Sequence, residues 1–180
     1  MLRNALGSTA FFMLAFAAGA WAQEKFEKLT STDGRYTVEM PGKPTQTSNK
    51  SGGGLELHYA IVKSVIEQYQ VIYVDFADSV IRGKDPQALL KAYRDGEYAK
   101  KKFENEKEIN FGSNKYPGTE YRVETVFETK DGGKVPVFIR ERDLLVGNRL
   151  YVVQYRAVVN KNLLDSKEAN KFFDSFELTK

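Results

Sequence analysis

Apolar side chains recur at every second position through most of this chain, and the spacing lengthens to three or four in only two stretches. Tyr36-Thr37-Val38-Glu39-Met40 follows the turn signal Asp33-Gly34 and reads as a short strand, preceded by a leading segment from Lys25 to Asp33 and ended by Pro41-Gly42-Lys43-Pro44. Leu55, Leu57, Tyr59 and Ile61 alternate as a second strand. Tyr69 to Phe76 is apolar on both parities, which predicts a central strand covered on both faces. Between the first two strands, Ser48 to Gly54 has no core-forming residue and closes on three glycines. The absence of a following Lys-Ser/Thr and helix argues for a mobile hairpin tip over a phosphate cradle.

From Asp85 to Glu104 the pattern turns helical. Asp85 can cap, Pro86 suits the first turn, and Leu89, Ala92, Tyr93, Gly96, Ala99 and Phe103 fall on one stripe. Lys91, Arg94, Lys101 and Lys102 occupy the other face, but Asp95, Glu97, Glu104 and Glu106 sit among them, as on a solvated surface. Alternation then returns in four strands, Lys107 to Ser113, Thr119 to Thr129, Lys134 to Val146 and Leu150 to Val158. Asp131-Gly132-Gly133 is expected to be a three-residue hairpin loop that sets Phe127 opposite Val137 and Glu124 opposite Arg140. Gly147-Asn148 is expected to be a two-residue connection with positive φ at both positions. Asn162 to Phe176 forms a closing helix anchored by Leu163, Leu164, Phe172, Phe173 and Phe176.

The first residues carry a different kind of pattern. Arg3 precedes an uncharged apolar run, Ala5 to Gly19, and Ala20-Trp21-Ala22 puts small residues at −3 and −1 of a cleavage point. Residues 1–22 therefore read as a signal peptide and 23–180 as a single exported domain, periplasmic or secreted. The run is short for a spanning helix, so no stable membrane insertion is expected after cleavage. Cysteine is absent from all 180 residues, which removes disulfides, lipid attachment at cysteine and thiol catalysis. Lys and Arg number 27 against 24 Asp and Glu, a balance that argues against nucleic acid as a partner.

Few residues offer chemistry. His58 alternates with Leu57 and Tyr59 and is the only histidine, so a zinc site of the usual type is not expected, and it reads as a sheet-face residue. Neither Gly-x-Ser-x-Gly nor Ser-x-x-Lys occurs. Asp75 and Asp78 leave the central strand and Asp85 follows; strand exit and helix capping account for them, with a carboxylate enzyme as the alternative. Glu120, Arg122, Glu124, Arg140 and Arg142 share one parity of two adjacent strands. Cross-strand ion pairs account for such a set, and the functional alternative has the arginines gripping an acidic partner or a carboxylate. Arg122, Glu124, Arg140 and Arg142 are accordingly the candidate binding residues; no catalytic residue, metal or cofactor is assigned.

Four phrases stand out along the chain: Tyr36 to Pro44, Gly118-Thr119-Glu120-Tyr121, Arg149-Leu150-Tyr151-Val152-Val153 and Phe172-Phe173-Asp174-Ser175-Phe176-Glu177-Leu178. In these phrases the chain resembles the PsbP proteins, the extrinsic subunits of photosystem II, and their bacterial and nuclear-import relatives. The resemblance spans about residues 27–178. It implies an α+β fold, a central antiparallel sheet of about six strands with helices on both faces, in an α/β/α sandwich. It also implies a non-catalytic interaction or accessory module with a protein partner in the cell envelope. A binding protein for a small anionic or amphipathic ligand, held by Arg122, Arg140 and Arg142, is the alternative.

Overall fold

A computed structural model describes residues 25–51, 54–99 and 101–180. The expected signal peptide and two of the three glycines at the first hairpin tip lie outside the described residues. Strands β1 (Phe26–Ser31) and β2 (Tyr36–Pro41) pair antiparallel, and a two-residue strand near the C-terminus, Glu177–Leu178, joins the other edge of β2. The remaining strands are β3 (Thr45–Lys50), β4 (Glu56–Lys63), β5 (Glu67–Asp75), β6 (Phe103–Phe111), β7 (Tyr116–Glu128), β8 (Lys134–Val146) and β9 (Arg149–Val158). They form one antiparallel sheet in the order β3-β4-β5-β9-β8-β7-β6. The large sheet thus has seven strands where about six were expected, because Ser48 to Lys50 pair with His58 to Glu56 instead of belonging to a hairpin tip.

Helix α1 (Asp78–Ile81) is a single turn, and α2 (Pro86–Glu97) follows the cap that Asp85 makes by accepting from the Ala88 amide at 2.9 Å. The expected helix to Glu104 stops earlier: β6 begins at Phe103, whose ring packs edge-on against Tyr98 and Tyr121. A 3-10 segment (Lys161–Asp165) and α3 (Lys167–Ser175) replace the expected continuous closing helix. The break falls at Ser166, whose hydroxyl accepts from the Ala169 amide at 3.0 Å and so starts a new helix.

The period-two pattern divides the large sheet into two packed faces. On one, Tyr69, Val71, Tyr73, Tyr151, Val153 and Tyr155 meet β2, the α3 residues Phe172 and Phe173, and Phe176 just beyond that helix. Burial of each phenylalanine contributes about 2–3 kcal/mol, and Arg140 and Arg142 stack on the Phe173 ring. On the other, Val74, Leu145, Leu150 and Val152 meet Leu90 of α2, with Ile72, Leu89 and Tyr93 beside them. Helices do lie on both faces, but on the α3 face the layer is shared with the three-stranded sheet. The β7–β8 loop has the expected three residues one place earlier, Lys130 to Gly132, because the Thr129 amide donates to the Gly133 carbonyl. The register therefore moves by two: Phe127 faces Val135, Arg122 faces Arg140, and Glu124 faces Phe138. At the β8–β9 turn only Gly147 has positive φ, +60°, so glycine in the first central position alone makes the reversal.

Candidate functional site

On the α3 face, Glu120 is the hub of the charged cluster. It accepts from Arg142 Nε at 3.0 Å and Nη2 at 2.8 Å, and from Arg140 Nη2 at 3.2 Å. Arg142 Nη1 also donates to the Phe173 carbonyl at 2.9 Å, and Arg140 Nη1 to Asn170 Oδ1 at 2.7 Å, so both arginines hold α3 to the sheet. Arg122 forks onto Asp165 of the 3-10 segment. Burial alone would raise the Glu120 carboxyl, but the hydrogen bond from Arg142 and the charges of Arg142, Arg140 and Lys107 hold it below its usual range. Glu124 is exposed and, with Phe138 opposite it, stands apart from this cluster. Of the four candidate binding residues, the three arginines are engaged by acceptors of the chain itself.

The α2 face carries the opposite arrangement. Glu141 and Asp143 alternate with those arginines on β8, and both are fully buried. Tyr98 Oη donates to Glu141 Oε2 at 2.6 Å, Gln154 Nε2 donates to the same carboxylate, and Tyr121 Oη lies between Glu141 Oε1 and Asp143 Oδ2, 2.9 Å from the latter. A phenol has one proton to give, so a carboxyl proton on Asp143 lets Tyr121 donate to Glu141 while accepting from Asp143. Desolvation, and next the adjacent Glu141 charge, raise Asp143 well above the carboxylate range; Glu141 is raised by desolvation, against which its hydrogen-bond donors act. Tyr98 and Tyr121 are pushed far up by burial and by these acids and stay protonated. The second oxygen of Asp143, Oδ1, has no partner among the described residues.

From this pair a ladder of amides runs to the surface. Gln154 Oε1 accepts from Gln70 Nε2 at 2.5 Å and from Arg156 Nε, and Gln70 Oε1 accepts from Gln68 Nε2 at 2.7 Å. At about 1.5 Å per residue, twelve-residue α2 is too short to cover the whole face. Beyond it, Gln68, Val135, Val137, Arg156 and Val158 line an open pocket of about 440 Å³. Val65 on the β4–β5 turn and Phe127 on β7 stand at its edge, 90% and 62% exposed. Val159, next in the chain, is 66% exposed and has φ +70°, a conformation that a β-branched residue adopts only under strain. The two Nη groups of Arg156 make no hydrogen bond or ion pair among the described residues; Glu67, one place along from its cross-strand neighbour Gln68, is turned to the other face, where it accepts the hydroxyls of Tyr69 at 3.0 Å and Tyr155 at 2.5 Å.

The other residues marked by the sequence have ordinary partners. His58 stacks on Tyr73 with ring centres 4.5 Å apart. Asp75 receives a fork from Arg149, both contacts 2.6 Å, and that hydrogen bond holds its carboxyl low. Asp78 opens α1 and is exposed. Sequence reasoning missed Glu141, Asp143 and Arg156, since a polar residue on alternate strand positions reads as solvent-facing. Their one available signal was the unbroken polar ladder Glu141, Gln154, Gln70 that adjacent strands bring into register. Among the described residues no group of three or more His, Cys, Asp or Glu could hold a metal ion, and no helix is long and apolar enough to cross a membrane.

No family model matches the chain, and no curated protein sequence matches it. Among solved structures it is similar to the solution structure of cyanobacterial PsbP (CyanoP) from Synechocystis sp. PCC 6803, at 12% identity, 90% coverage of this chain, 97% coverage of that chain and a TM-score of 0.47. At that level of likeness no residue role passes from that protein to this one.

Proposed function

We propose that this chain is an exported, non-catalytic interaction module that docks a protein partner in the cell envelope through the uncovered half of its α2 face. The observation that carries this reading is the exposed apolar edge, Val65 and Phe127, of a pocket lined by two cations, Lys63 and Arg156, the second with donors free of any partner among the described residues. Exposed apolar groups gathered at one pocket and bordered by polar residues are a surface signature of association, and a guanidinium with free donors adds selectivity for an acidic side chain. The buried acid pair argues against turnover at this face: both carboxyls are closed off from solvent, and their hydrogen-bond partners among the described residues are Tyr98, Tyr121 and Gln154. The resemblance to PsbP proteins is in keeping with an accessory role and does not specify the partner.

A photo-crosslinking phenylalanine analogue at position 127, in the producing cell, is expected to join the chain to a discrete envelope protein, and Val65→Asp to reduce that adduct. The same analogue at Glu124, exposed on the opposite face, serves as the control. Equal adducts at both positions, or none at 127, would discard the reading.

A further inference from the structure

We propose a second binding site at the other end of the α2 face, for a single-chain amphipathic anion of medium length. Phe76, Val80, Leu90, Tyr93 and Leu150 line a cavity of about 240 Å³ between α1, α2 and the sheet, and among its described lining residues Tyr93 alone carries a polar side-chain group. Ile81, Leu89 and Leu145 border both this cavity and an open pocket of about 380 Å³, so the two spaces adjoin. Cavities with such a lining stay dry and accept apolar guests. At roughly 30 Å³ per water-sized group, the inner space seats about eight chain atoms.

The outer pocket supplies the charge. Arg82 and Lys84 are exposed there and make no ion pair or side-chain hydrogen bond among the described residues, against one acid, Asp78. Asn148 Nδ2 is used on the Phe76 carbonyl at 3.0 Å. An alkyl carboxylate satisfies both ends: the chain fills the cavity and the headgroup meets two cations. Entry requires little rearrangement. The roof, α1, is one turn with no buried residue, and Gly83 beside it has φ +75°, which leaves the roof a short segment able to swing.

The proposal stands apart from the docking reading, because no residue is shared with the Val65 and Phe127 edge. Its test is thermal unfolding and calorimetry of the mature chain with octanoate, octanol and acetate as probes. Octanoate is expected to bind saturably and raise the Tm, octanol to bind roughly tenfold more weakly or less well still, and acetate not to bind. Arg82→Glu with Lys84→Glu is expected to weaken octanoate at least tenfold and leave octanol unchanged. Ala92→Phe, at an exposed position on the cavity wall, is expected to abolish both while the unliganded Tm stays near that of the parent chain. Absence of saturable octanoate binding, or equal binding by the parent and both variants, overturns the site. Binding to anionic phospholipid vesicles with none to monomeric octanoate overturns it as well, in favour of a membrane surface.

Discussion

Strand β8 runs Arg140, Glu141, Arg142, Asp143, and its two faces solve the burial of charge in opposite ways. Toward α3, two cations share one carboxylate and reach backbone and amide oxygens of the helix beyond it, so opposite charges hold one layer to the next. Toward α2, two acids sit together and, among the described residues, no cation is hydrogen-bonded to either; phenols and an amide solvate Glu141, while burial and the neighbouring charge push Asp143 up toward its neutral form. Four consecutive residues thus belong to two chemical regimes, and the difference lies in what packs over each face. Burying an ion pair is neutral or costly against an apolar pair, but breaking one is always costly.

The largest effect expected from breaking this contrast is at Glu120. Glu120→Ala leaves the part-buried Arg140 and Arg142 without their shared acceptor and is expected to cost about 3 kcal/mol in urea unfolding; restoration of much of that loss by Arg142→Met in the same chain would mark stranded charge as the cause. Glu141→Gln comes next, at about 2 kcal/mol, since Tyr98, Tyr121 and Gln154 all point donors at a group that loses its charge and gains donors of its own.

Asp143→Asn sharpens the comparison through pH. An acid whose folded pKa is raised contributes most below its unfolded value near about 3.9, and that contribution is lost as pH rises toward the folded pKa. Glu120 behaves in the reverse sense, because its folded pKa is lowered: its contribution is present above about 4.3 and is lost as pH falls through the folded value. Unfolding free energy measured across pH is therefore expected to show the parent chain losing stability relative to Asp143→Asn as pH rises above about 4. A constant difference would place the proton elsewhere. The smallest effect is at Arg122→Ala. Its fork onto the mostly exposed Asp165 is expected to contribute under about 1 kcal/mol and to fade in high salt.

Strand positions and the parity that unites Glu120, Arg122, Arg140 and Arg142 were legible, because a pleated strand turns alternate side chains to opposite faces whatever surrounds it. The β7–β8 register came out two residues off, yet the parity survived, since a shift of two leaves every side chain on its face. Phe172, Phe173 and Phe176 were legible as anchors for a similar reason: large aromatic groups at helical spacing have few alternatives to a core. The helical stripe misled beyond Tyr98, where the period continued to Phe103 but the chain had already turned into β6.

Glu141, Asp143 and Arg156 were not legible as a set. Composition and alternation are local properties, whereas burial is decided by segments far apart in the chain: α2 closes over the acids, its short length leaves Arg156 open, and α1 roofs a cavity that no motif announces. The sequence by itself determined which residues alternate and what chemistry each can offer. Only the tertiary structure decided which face is covered, and coverage sets the dielectric that separates an ordinary surface charge from a buried acid pair whose carboxyls are raised.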